Sequence, residues 1–72
     1  MSSVDSPAHY NAGQIECIDA IDAATAGKKG AEAFYVGNVI KYLWRAEQKG
    51  GLEDYLKARW YLDRLIHSLE SR

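Results

Sequence analysis

The stretch from Ala31 to Lys49, AEAFYVGNVIKYLWRAEQK, decides the fold. It holds no proline, and its apolar residues recur at helical spacing. At about 100° per residue, Asn38, Lys41, Tyr42, Arg45 and Lys49 fall within one stripe roughly 100° wide. Val36, Val39, Ile40 and Leu43 fall on the opposite side. One helix therefore carries a packing face and a cationic, hydrogen-bonding face. Arg and Lys offer only donors, and the planar fork of Arg suits phosphate or carboxylate oxygens. An amide and a phenol in the same stripe suggest a shaped site. The plain alternative is a solvated charged face.

The same reading extends to both sides. Gly27-Lys28-Lys29-Gly30 breaks the chain before this helix, which is expected to span about Ala31 to Gln48. Gly50-Gly51 ends it, as glycine does at helix C-termini. A third helix is expected from about Leu52 to Leu69, with Glu53 and Asp54 in its first turn, where the helix dipole favours acids. Its arc of Tyr55, Ala58, Leu62, Leu65, Ile66 and Leu69 is expected to pack on the other two helices. Upstream, Gly13 precedes a helical segment from Gln14 to about Thr25, with Cys17, Ile18, Ala20, Ile21 and Ala24 on its buried side. Residues 1–12 read as an N-terminal tail ending in an ordered loop, Ser6-Pro7-Ala8-His9-Tyr10. Residues 13–72 read as a single helical domain without strands. The expected fold is all-α: a short helix followed by an antiparallel two-helix hairpin.

The chain has 72 residues and one cysteine, Cys17. A domain this small buries only about 60% of its unfolded surface. No internal disulfide can staple it, so assembly into a homo-oligomer is expected. Trp44, Leu56 and Trp60 lie off the main packing side and are the expected self-association surface. The lone cysteine fits a reducing, cytoplasmic location, and Met1 to Ser6 does not read as a signal peptide. No apolar run reaches the ~20 residues a membrane span needs. The formal net charge of −1 argues against binding long nucleic acid. The bases nevertheless concentrate between Lys28 and Arg64, which suits a small anionic ligand.

Asp54, Lys57, Tyr61 and Arg64 form a second polar stripe along helix 3, at spacings of three, four and three. In an antiparallel hairpin this edge can face the Asn38 stripe, so that Lys41, Arg45, Lys49, Lys57 and Arg64 converge with Tyr42 and Tyr61. Cations beside aromatic rings suit a phosphorylated nucleobase. A ladder of interhelical salt bridges, with Asp54 neutralising Lys57 or Lys49, fits the pattern equally well. His9 beside Tyr10 reads as a loop anchor, a ligand-stacking pair or a general base. Glu16, Asp19 and Asp22 read as a solvated carboxylate face, with Glu16 the best candidate among them for a site role. No Cys/His cluster has metal spacing.

The words Pro7-x-His9-Tyr10, Gly13-x-Ile15-Glu16, Gly37-Asn38-x-x-Lys41-Tyr42-x-x-Arg45-x-x-x-Lys49 and Glu53-Asp54-x-x-Lys57-Ala58-x-x-Tyr61-Leu62 resemble the SaV-like family of small bacteriophage proteins. The resemblance runs from Pro7 to Leu69. A longer relative in a coliphage is a deoxynucleoside monophosphate kinase without a P-loop. The resemblance thus implies a nucleotide or cyclic nucleotide ligand and action in the cytoplasm of an infected bacterial host. It leaves enzymatic activity open, since this chain is little more than the shared domain. A kinase would use Mg²⁺, with Glu16 or Asp54 as its anchor. A non-catalytic sponge for a nucleotide immune signal, or an inhibitor of a host protein, would need binding alone.

Overall fold

The computed structural model describes Asn11–Ala12 and residues 15–71. Two strands of two residues, β1 (Asn11–Ala12) and β2 (Ile15–Glu16), pair antiparallel, with Asn11 opposite Glu16 and Ala12 opposite Ile15. Three helices follow: α1 (Cys17–Thr25), α2 (Gly30–Arg45) and α3 (Gly51–Glu70). A π turn, Ala46–Gly50, joins α2 to α3. No helix among the described residues is long and apolar enough to cross a membrane.

The protein is thus mostly helical, as the periodicity indicates, with corrections at the ends. The first helix starts at Cys17 rather than Gln14, because Ile15 and Glu16 are extended and paired with β1. Strands this short carry no periodic signal. Glu16 occupies the N-cap position with extended backbone (φ −83°, ψ 148°), and its side chain makes no cap bond. At the other end of α1 the Thr25 hydroxyl donates back to the Ile21 carbonyl at 2.7 Å, and Gly27 turns the chain with φ +82°. Only glycine adopts that region readily. The second helix leaves α geometry at Arg45, three residues before the expected end, and continues as the π turn.

Two side-chain pairings give the hairpin its direction. Arg45 reaches Asp54 near the turn, and Tyr42 stacks on Tyr61 farther from it. That order holds only if α2 and α3 run antiparallel. Asp54, Ala58, Tyr61, Leu65 and Ser68 are the more covered positions of α3. Their spacing of four, three, four and three is the seam of two packed helices. The expected arc was therefore right at Ala58 and Leu65 only. Tyr55, Leu62, Ile66 and Leu69 remain 47%, 42%, 43% and 40% exposed. α1 packs against α2, not into the hairpin seam.

The three helices form something close to a single layer, with α2 in the middle. The buried apolar residues among those described are small ones: Cys17, Ala46 and Ala58. Large apolar side chains are covered on one side only. Where α1 crosses α2, a Cβ on Gly37 would sit 3.4 Å from Ile21 Cγ2, at the edge of ordinary contact. Alanine fits there, and it removes the backbone entropy that glycine loses in a helix. Gly37→Ala is expected to raise stability by about 0.5–1 kcal/mol, and Gly37→Leu to lower it by prising α1 away. Thermal melts of the two variants check the pair of signs.

Candidate ligand-binding face

Tyr42 is the centre of the site. Lys41 Nζ lies 4.9 Å from its ring centroid, Lys57 Nζ 5.4 Å and Arg45 Cζ 5.8 Å. Two of these cations come from α2 and one from α3, so the site exists only once the hairpin has closed. Tyr61 lies nearly parallel to Tyr42, at 10° with centroids 5.9 Å apart, an offset arrangement that aromatic quadrupoles favour. Phe34 meets Tyr61 edge-on at 5.9 Å and Trp60 meets it edge-on at 5.0 Å. Phe34 and Trp60 are themselves 58% and 57% exposed. The result is a row of rings lined by cations and open to solvent.

One carboxylate enters this cationic group, and it is already engaged. Arg45 Nε donates to Asp54 Oδ2 at 3.0 Å. The Asp54 side chain is 2% exposed and that of Arg45 is 20% exposed. Asp54 is the only buried charged residue among those described. Asp54 thus pairs with Arg45, where Lys57 or Lys49 was expected. Arg45 spends one N–H on this bond, and its remaining donors stay available to a ligand. Lys41 and Lys57 have no carboxylate partner among the described residues. Among the described residues, two of the three cations on this ring therefore have no ion-pair partner.

Gly50 shapes this arrangement from behind. Its backbone is ordinary (φ −95°, ψ −10°), but a Cβ there would collide with the Asp54 carboxylate. Gly51 is glycine for the other reason: its φ of 55° and ψ of −137° exclude L side chains. The sequence marked the pair as a helix stop. It gave no sign that Gly50 clears room for a carboxylate, since that depends on the π turn.

The other expected site residues are placed as follows. Asn38 lies on the same face of α2, and its Nδ2 donates to the Phe34 carbonyl at 2.9 Å. Lys49 lies in the π turn and is exposed. Arg64 diverges from the group and stacks on Trp60, its Cζ 5.6 Å from the indole centroid. Glu16 is half-buried directly before Cys17. Burial pushes the Cys17 thiol up, and the Lys41 cation partly offsets that, which places the start of α1 at the border of the cationic face. His9 and Tyr10 lie outside the described residues. Trp44 is half-buried, with its indole N–H shielded and unpartnered among the described residues, so it is not part of the open aromatic row. Among the described residues no three His, Cys, Asp or Glu side chains are grouped to hold a metal ion.

Residues 4–63 match the model of DUF3310, a family of proteins of unknown function. No curated protein and no solved structure matches the chain.

Proposed function

We propose that this chain, which belongs to the DUF3310 family, binds a phosphorylated nucleotide on the face centred on Tyr42. The observation that carries the reading is two lysines, Lys41 and Lys57, on one tyrosine ring, neither with a carboxylate partner among the described residues, beside a carboxylate that is held by Arg45. Like charges crowd together at a cost, which an anion relieves. Phosphate oxygens accept from the two ammonium groups and from the free donors of Arg45. The exposed rings of Phe34 and Trp60 offer flat surface beside them, which suits a nucleobase. The resemblance to SaV-like phage proteins points to the same ligand class and to action in the infected host's cytoplasm.

Binding without turnover is the favoured form of this reading. Asp54, one of two carboxylates expected to anchor Mg²⁺ in a kinase, is buried and committed to Arg45. A binding protein needs neither a metal anchor nor a second nucleotide pocket, whereas phosphoryl transfer needs positioning of both reactants. Such a binder acts as a sponge for a nucleotide or cyclic nucleotide.

Lys41→Ala and Lys57→Ala are each expected to weaken nucleotide binding about ten-fold, and the double variant about a hundred-fold, as lost charge-assisted hydrogen bonds do. Calorimetry against nucleoside monophosphates, triphosphates and cyclic nucleotides measures this. Absence of binding to every nucleotide, or an unchanged affinity in the double variant, overturns the assignment. Incubation with labelled ATP and a deoxynucleoside monophosphate tests turnover separately, and formation of ADP and a nucleoside diphosphate makes the protein a kinase.

A further inference from the structure

α3 turns an apolar row to solvent that is symmetric about one residue. Tyr55, Leu62 and Leu69 are seven positions apart and so lie one above another, with Ile66 beside them. All four are 40–47% exposed. The row is turned about 90° from the seam that packs on α2 and lies away from Lys57 and Arg64. Leu62 is its midpoint. Two copies of α3 laid antiparallel with Leu62 against Leu62 bring Tyr55 of each copy onto Leu69 of the other.

The flanking charges fit the same two-fold. Arg59 and Asp63 lie on one flank of the row, are exposed, and make no ion pair among the described residues. A two-fold perpendicular to the helices keeps that flank on the same side in both copies. Arg59 then falls about 3 Å along the axis from the second copy's Asp63, at 1.5 Å per residue, within reach of a long side chain. This occurs twice, so the surface is complementary to itself in charge.

α2 meets the same condition independently. The pairings Tyr42–Tyr61 and Arg45–Asp54 set Leu62 level with the middle of α2, about Val39. Val36 and Leu43, seven apart and on the side of α2 away from its cations, straddle that level. Leu43 is 51% exposed. The two-fold that centres on Leu62 brings Val36 of one copy level with Leu43 of the other.

We propose that two copies of this chain pair through these rows into a four-helix bundle of two α2–α3 hairpins, with Leu62 on the two-fold axis. The second copy supplies the second layer that a helical layer requires to cover its apolar side. Both Tyr42 faces then point outward on opposite sides, and Leu56 and Trp60, which with Trp44 are the surface expected from sequence, lie outside the contact. The pairing does not rest on nucleotide binding, and either stands without the other.

The test uses the full chain. Leu62→Cys is expected to form an intermolecular disulfide under mild oxidation, because facing positions meet the short Cα separation a disulfide needs. Leu56→Cys is expected not to. Arg59→Asp and Asp63→Arg are each expected to raise the dimer dissociation constant at least ten-fold in light-scattering titrations, and R59D/D63R to restore it. A monomeric unmutated chain at micromolar concentration overturns the proposal. Cross-linking at Leu56 as readily as at Leu62 overturns it, as does a double variant no closer to the unmutated protein than the singles.

Discussion

Arg45→Ala lowers folding stability by about 3–4 kcal/mol, and Asp54→Ala by less than half as much. Breaking a buried ion pair costs roughly 3–5 kcal/mol when a charge is left buried and unpaired. The two halves of this pair differ in what they leave behind. Removing Arg45 strands a carboxylate that is 2% exposed and has no other side-chain partner among the described residues. Removing Asp54 strands a guanidinium that is 20% exposed and stands at the edge of the open face, where water can take over. The asymmetry is the content of the expectation. Urea titrations of the two variants check it, and equal losses would mean that Arg45 is as enclosed as Asp54. Binding experiments on Arg45→Ala need that measurement first, since lost affinity there mixes a ligand contact with a loosened hairpin.

Gly50→Ala is expected to cost about 3 kcal/mol, the order of a forced loss of the same buried pair. The added Cβ occupies the space of the Asp54 carboxylate, which cannot retreat without leaving Arg45. The cost belongs to the encounter and not to the backbone, whose angles at Gly50 suit any residue. Gly50→Ala introduced into Asp54→Ala is therefore expected to cost almost nothing, a strongly non-additive cycle. The same substitution at Gly51 costs about 1–3 kcal/mol in either background, because there the backbone is the obstacle. Denaturation midpoints of the four Gly50/Asp54 combinations read out the coupling, and an additive result would remove Gly50 from the account.

Helices with strong period were legible in sequence, and so was their convergence. Lys41, Arg45, Lys49, Lys57 and Arg64 were expected to gather with Tyr42 and Tyr61, and of these Lys41, Arg45 and Lys57 lie on the Tyr42 ring. That follows from two stripes at helical spacing and a short glycine turn. Partners were less legible. Asp54 was matched to lysines nearby in register, whereas the π turn brings Arg45 to it instead. The π turn, which the Gly51 N–H closes on the Ala46 carbonyl, shifts which residues meet, and no side chain announces it. Arg64 could not be assigned to Trp60 from spacing alone, since both ends of its reach offered a ring. The buried arc of α3 was misjudged for a related reason. Apolarity marks surface that is to be covered, and it does not say by which chain.

A protein built as one layer has two sides and almost no inside. Its fold is specified where helices touch, and there the residues are the smallest it owns: Gly37, Ala46, Gly50 and Ala58. Bulk, the usual currency of a core, is spread over the outer sides and answers to whatever lies against them. A full substitution scan read by folding alone would therefore look inverted beside that of an ordinary domain. Enlarging Ala46, Gly50 or Ala58 would be the harmful change, and trimming the large apolar side chains would pass, until the scan is read by ligand or by assembly.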